Sequence, residues 1–388
     1  MPEPTRTPAG SPRTANVAVF LFLSGSQAMI PFVPLYARSL GAHPAAIGLI
    51  LGGYHVLPLL VAIPLGGIIQ RWGAGRSMLA ACLCGAAGAL VMLGGGLPYL
   101  VFGLLVFGVA SLTVVSSGQV ETLLNVPAEA WDRAIGMFAF STSLALIVGP
   151  LAGATLVRLG GYALIFPGTA VLVLAAGASI LRLAQRPRGE ALLSRPPSRR
   201  ATLSALGQPA VALVLLCSMT SESALSFWSG FFPLLLAGKG FTPEGIALYF
   251  SLRGVATASI RPLLGVFTRL VSRARVLIVS LALMALALAL MPVLTRPTEY
   301  AAVVILFGIA AGFIFPLTLA LVSVGFSPEA MGTGVGIRQF VTRVGQLLGP
   351  VLLGLVTQAT GLTAAFVTSA VIVGGTAAVY ARFRARGG

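Results

Sequence analysis

The stretch "GAHPAAIGLI", residues 41–50, returns as "GFTPEGIALY" at residues 240–249, with Gly, Pro and Ile at matching positions. The same offset of 199 to 200 residues pairs Pro34 with Pro233, Arg76 with Arg275, Gly136 with Gly336, and Gly149-Pro150 with Gly349-Pro350. In a chain of 388 residues, a repeat of that period means one half written twice. Composition says what each half is made of. Hydrophobic residues make up 57% of the chain and charged residues 9%, and mean hydropathy is +0.98, far more apolar than a soluble domain. The 47 glycines and 25 prolines lie inside apolar runs and have no three-residue period. That suits membrane helices and excludes collagen-like and disordered chains.

About 20 apolar residues cross a bilayer core. Polar breaks divide the chain into twelve candidate spans, near 15–39, 45–70, 76–96, 98–123, 133–158, 162–183, 208–238, 243–269, 275–295, 298–323, 331–358 and 362–383. The longest break, 184–207, separates six spans from six. The expected fold is therefore an all-α integral membrane protein with two pseudo-symmetric six-helix bundles, residues 1–183 and 208–388, joined by a linker over 184–207. Six spans return the chain to its starting side, so the repeats run parallel about an axis along the membrane normal, with a cleft between them.

A net charge of +16 raises the possibility of a nucleic-acid partner, but the distribution of the charge argues against one. With the N-terminus inside, seventeen of the Lys and Arg residues fall in inner segments and four in outer ones, the remaining four lying within spans. The basic excess is topological, placing both termini in the cytoplasm and the chain in the cytoplasmic membrane. The first 14 residues are polar and the run after them is long enough to span, so no cleavable signal peptide is expected. The three cysteines sit in apolar spans. With only His43 and His55 available, neither a metal cluster nor a serine–histidine triad has enough parts, and the chain does not read as an enzyme. The glycine-rich "GTGVGIR" at 332–338 opens a span rather than following a strand, which argues against a nucleotide site.

Two motifs carry a resemblance. "GGIIQRWGAGR", Gly66 to Arg76, places Gly66, Gln70, Arg71, Gly73 and Arg76 in the loop after span 2. It is similar to the loop signature of the major facilitator superfamily, except that Gln70 stands where the family usually has Asp. Its second copy, "GVFTRLVSRAR" from Gly265, has Arg269 at that position. Span 11 reproduces the family's antiporter spacing at Gly336, Gly345, Gly349 and Pro350, and span 5 nearly so at Gly136, Ala145, Gly149, Pro150 and Gly153. Small residues four apart also make an ordinary helix-packing face, and proline kinks a helix, so both readings stay open. The resemblance implies a monomeric secondary transporter in the bilayer, moving a small-molecule substrate by rocking two bundles, with no cofactor and a proton gradient as driving force. It implies that spans 1, 4, 7 and 10 line the pathway, offering Gln27 and Met29, Ser116 and Gln119, Ser226 and Trp228, and Phe313 and Phe315.

Charge inside a span is costly, about 2.5–3.5 kcal/mol per residue at the helix centre, and so marks candidate sites. At 1.5 Å rise per residue, Glu222 lies about 20 Å along span 7, Arg253 about 15 Å along span 8 and Arg343 about 18 Å along span 11, all near mid-depth. Glu222 is either paired with Arg253 or Arg343 or is a proton-coupling site. The surplus of arginine there calls for carbonyls, water or an anionic substrate group. Arg261 reads as a structural residue reaching toward the inner surface. Arg338 reads as a lock on the cytoplasmic side that engages Gln70 or Glu121. Tyr54 and His55 in span 2 are further cleft candidates. The functional expectation is proton-coupled efflux of an amphipathic or drug-like compound. The alternatives are uptake or exchange of a small organic anion, and a non-transporting membrane sensor or lipid-handling protein.

Overall fold

The computed structural model describes residues 12–124, 126, 131–185, 207–324, 326 and 331–386. The expected linker, 184–207, therefore lies almost wholly outside the described residues.

The repeated stretch is a helix start, and its residue types follow from that. Gly41 and Gly240 adopt the left-handed backbone (φ +84° and +83°) that a side chain resists. Each ends the preceding helix, and the next residue's amide closes a six-residue turn, Ala42 onto the Ala37 carbonyl at 3.0 Å and Phe241 onto Leu236 at 3.1 Å. His43 and Thr242 then cap the next helix, accepting from the amides of Ala46 and Gly245 at 3.2 and 3.3 Å. Pro44 and Pro243 occupy the first helical position, where no amide hydrogen is missed. Ile47 and Ile246 begin the buried face.

The first half comprises α1 (Pro12–Met29), α2 (Val33–Ser39), α3 (Pro44–Trp72), α4 (Ala74–Val91), α5 (Leu97–Leu124), α6 (Trp131–Gly160), α7 (Ile165–Ser179) and α8 (Leu181–Ala184). The second comprises α9 (Pro209–Gly238), α10 (Pro243–Ile260), α11 (Leu264–Leu270), α12 (Arg273–Leu290), α13 (Pro297–Val324), α14 (Met331–Thr360) and α15 (Leu362–Ala385). Both follow one packing plan. In the first, α1 packs on α6 and α7, α4 on α5 and α7, and α3 on α5; in the second, α9 packs on α14 and α15, α12 on α13 and α15, and α10 on α13. The halves meet through α3 against α14 and α6 against α10, again as equivalent pairs.

Eleven helical segments among the described residues are long and apolar enough to cross a membrane. The segment expected as span 8 is not among them. It carries Glu244, Arg253, Arg261 and Arg269, and its α-helix stops at Ile260, passes through a 3-10 turn over Arg261–Leu263 and resumes as α11. Pro262 accounts for the break, since it lacks the amide an α-helix needs there.

The two ends of the interface differ. At one end the halves touch backbone to backbone. A Cβ added to Gly48 would collide with the Pro350 carbonyl oxygen, and one on Gly254 would lie 2.9 Å from the Leu146 carbonyl oxygen. The Ala45 amide donates to Gln358 Oε1 (3.3 Å) and Ser251 Oγ donates to the Ile147 carbonyl (2.6 Å). At the other end, which carries residues 12 and 386, α3, α6 and α14 part from one another and from α11, the continuation of α10. Gly66, Gly67, Gly136, Gly265 and Gly336 have open space where a Cβ would be, and Leu60, Phe140, Val266 and Leu270 are exposed.

Candidate functional site

Between the halves lies a cavity of about 370 Å³. Ile30, Val33, Leu51, Leu104, Leu146, Leu225, Phe250, Ala311 and Phe315 give it apolar walls. Gln27, Tyr54, His55, Ser226, Ser229, Thr257 and Gln346 supply hydrogen-bonding groups, and Glu222, Arg253 and Arg261 supply charge. Every charged lining residue comes from the second half. No group of His, Cys, Asp or Glu among the described residues has the arrangement to hold a metal ion.

On α9 the helical period sorts the residues. Glu222, Ser226 and Ser229, at i, i+4 and i+7, face the cavity, while Ser221, Ala224, Phe227 and Trp228 are buried in the half itself. Glu222 makes no direct ion pair among the described residues, so the pairing with Arg253 or Arg343, one of its two readings, is not seen. Gln346 intervenes: its Nε2 donates to Glu222 Oε2 (2.8 Å), and its Oε1 accepts from Arg343 Nη1 (3.1 Å). Ser226 Oγ fixes the same residue from behind by donating to the Gln346 carbonyl (2.8 Å). Arg343, three residues before Gln346 on one helix face, thus reaches the carboxylate through a neighbour and does not line the cavity itself.

Arg253 is 8% exposed and lines the cavity with its guanidinium carbon 5.1 Å from the Trp228 ring centroid. Trp228, expected as a pathway residue, lies behind it, fully buried and stacked on Phe232, Phe250 and Phe307 with centroids 4.6 to 5.1 Å away. A cation over a desolvated indole gains about 2 kcal/mol, which offsets part of the cost of burying the charge. Among the described residues, Arg253 Nε and Trp228 Nε1 are buried without a hydrogen-bond partner. Arg261 corrects an expectation. It lines the cavity on the stripe of Thr257 and Arg253, four and eight residues before it, and its Nη1 donates to Ser143 Oγ on α6 (3.0 Å) across the interface.

Of the other expected residues, Gln27, Tyr54 and His55 line the cavity. Gln119 does not. Its neighbour Gly118 is the α5 residue pressed against Val19 of α1, while Gln119, one helical step on, is exposed. Met29 is core, Phe313 packs on Phe267 (5.2 Å), and Ser116 is not a lining residue. Arg338 is 1% exposed and sits 4.4 Å from the ring centroid of Phe315, a contact within its own half. In the loop motif, Gly73 turns with φ +88°, Arg76 Nε donates to the Ala184 carbonyl (3.1 Å), and Gln70 and Arg71 are exposed at the parted end beside the open Gly66. The spaced glycines are packing faces. Gly149 and Gly153 meet α1 at Ser24, Gln27 and Ala28, while Gly345 and Gly349 meet α9 at Met219 and Ser223, with Pro150 and Pro350 inside their helices.

Sequence reasoning missed Gln346, Ser143, Ser229 and the cavity role of Arg261. Gln346 left a signal as a polar residue one turn after a mid-span arginine, and Arg261 as the third member of the stripe Arg253, Thr257, Arg261.

No curated protein sequence matches the chain. Solved structures do match in fold. A bacterial homologue of the human lysosomal transporter Spinster, inward-facing and unoccupied, superposes with a TM-score of 0.81 at 14% identity, covering 95% of both chains. A transporter of the POT family in complex with a thioalcohol-conjugated peptide gives 0.81 at 13% identity, covering 97% of this chain and 96% of the other. A point mutant of the nucleoside transporter NupG gives 0.78 at 16% identity, covering 95% and 98%. The family model of the Major Facilitator Superfamily matches residues 15–243 and 211–387, nearly the whole sequence. With that match, the duplicated helical plan and the cavity between the halves, the chain belongs to the Major Facilitator Superfamily and is a secondary transporter of that type, not an enzyme.

Proposed function

We propose that the chain exports a small amphipathic compound by alternating access, driven by the proton gradient, with Glu222 as the protonation site. The observation that carries this reading is a cavity with mostly apolar walls, shut at one end and parted at the other, that holds a carboxylate with no direct arginine partner. A carboxyl group in such a place changes its proton affinity when the surrounding halves rearrange. The glycine and proline pattern at Gly345, Gly349 and Pro350 supports export by its resemblance to antiporters. We further propose a monomer in the cytoplasmic membrane, with bundles 1–183 and 208–388, both termini cytoplasmic and 243–269 serving as span 8 of twelve; the seventeen-to-four excess of inner basic residues supports that orientation. The parted end would then face the cytoplasm.

The test is flux in proteoliposomes of defined orientation, using ethidium as a cationic amphipathic probe and a panel of aromatic monocarboxylates, with and without a proton gradient. Gradient-driven movement of at least one probe, lost in Glu222→Gln, is expected. Full retention in that variant sinks the assignment of Glu222.

A second reading has its own observation. Arg253, nine-tenths buried with Nε unpartnered and Arg261 nearby in the same cavity, favours a substrate that carries an anionic group on an apolar body. It predicts that the monocarboxylates, and not ethidium, are transported, and that Arg253→Met abolishes their movement.

A further inference from the structure

Gln346 sits between two groups whose hydrogen-bonding capacities are fixed by chemistry. Arginine only donates, so the Gln346 oxygen must face Arg343. The amide nitrogen is then committed to Glu222, and an N–H can serve only an acceptor there. An ionised carboxylate is the stronger acceptor, since neither oxygen carries a proton and both carry charge. A protonated carboxyl can accept there only with its proton confined to the other oxygen; a proton on the bonded oxygen favours turning the amide over, which would point its NH2 at Arg343. The Ser226 bond to the Gln346 carbonyl holds the residue against α9 and leaves the side chain little room to retreat.

We propose that Arg343 is a positioning residue: by holding the Gln346 carboxamide in one orientation, it biases Glu222 toward its deprotonated form in this conformation. The inference rests on the reading of Glu222 as a titrating site. Other charged or titratable groups face the same carboxylate. Arg253 on α10 and Arg338 on α14 interact with it electrostatically, and Arg261, Tyr54 and His55 share its cavity. None of these orients the amide, so their effect should persist when the relay is broken.

The experiment is infrared titration of the purified full-length protein in nanodiscs, following the protonated-carboxyl band that disappears in Glu222→Gln. Arg343→Met is expected to raise the midpoint of that band by about one pH unit, because the amide becomes free to turn its oxygen to a protonated Glu222. Gln346→Leu should raise it by a similar amount, and the double variant no further. Arg343→Lys, also a pure donor, should restore the wild-type midpoint; Arg343→Gln replaces the Met variant if the latter does not purify. A structural role alone would move thermal stability and leave the midpoint in place. An unmoved midpoint, or additive shifts in the double variant showing that Arg343 acts through space, overturns the proposal. Failure of the transport reading is seen separately, as proton-driven flux that survives Glu222→Gln while the band behaves as expected.

Discussion

Replacing Gly48 by alanine should tip the protein out of the conformation described above, without weakening either half. Gly48 belongs to α3, and its added Cβ would collide with the carbonyl oxygen of Pro350 on α14, a backbone atom that no rotamer change can move. The next contact along, Gly52 with Val351 Cγ2 at 2.5 Å, is softer because a side chain can yield. Relief at Gly48 therefore requires the two helices to separate at the closed end. Overpacking of this kind costs about 1–3 kcal/mol. The contact exists only where the halves meet, so that cost falls on one conformation. It corresponds to a shift of about 5- to 150-fold in the ratio of the two states. The assay uses Ser229→Cys in the cavity, with exposed Cys84 replaced by serine, and a membrane-impermeant maleimide added from the side opposite the termini. Gly48→Ala should raise the labelling rate severalfold from that side with little change in thermal stability. Gly349→Ala is the control, since its Cβ would strike Ser223 of α9 within one half, a contact needed in every state. It should lower thermal stability and leave sidedness alone. Equal behaviour of the two variants would refute the distinction between gating and scaffold glycines.

Trp228→Leu removes the ring under Arg253 and should cost about 1–2 kcal/mol of support for that buried charge, read as a comparable fall in thermal stability and a weaker apparent affinity for any anionic substrate. Trp228→Phe should lose less, and equal losses would show that the indole face is not what matters. Ser143→Ala deletes the acceptor of Arg261 across the interface and is expected to ease parting of α6 from α10, seen as faster maleimide labelling at Ser229→Cys from the far side; unchanged labelling would remove Arg261 from the gating contacts. Phe315→Ala exposes the nearly inaccessible Arg338 to the cavity and should raise the rate at which Arg338→Cys is labelled at least tenfold, whereas Gln70→Ala should not change it.

The charges of the cavity are all contributed by one half, although both halves follow one plan. Equivalent positions show how the copies diverged. The Tyr54 carbonyl faces Gly108 and the Arg253 carbonyl faces Gly308, so the two residues occupy matching places in α3 and α10. One copy supplies a ring with a hydroxyl, the other a buried cation. Shared backbone packing let the side chains facing the cleft change independently, because the glycine contacts that hold the helices involve backbone atoms and not those side chains.

The architecture is legible in the chain itself because its causes are local and periodic. Apolar runs of bilayer length, a 200-residue repeat, a proline beside a capping residue and glycines four apart each leave a linear trace. Depth within a span is legible for the same reason, since a helix rises uniformly, and it singles out Glu222, Arg253 and Arg343 together. Which side of a helix a residue faces, and what stands opposite, depends on packing between segments over a hundred residues apart. Thus Gln119 and Trp228, on lining helices by resemblance, are not lining residues, whereas Arg261 is, on the same helical stripe as Arg253 and Thr257. Of the two readings left open for Glu222, direct pairing with an arginine is not seen among the described residues; its partner is Gln346, an uncharged residue that a search for charges passes over. Sequence alone determined that this is a duplicated helical membrane chain with ionisable groups at mid-depth. The tertiary structure decided which of those groups share a cavity, which end of it is shut and which neighbour holds the carboxylate, because these are relations between helices and not properties of any one of them.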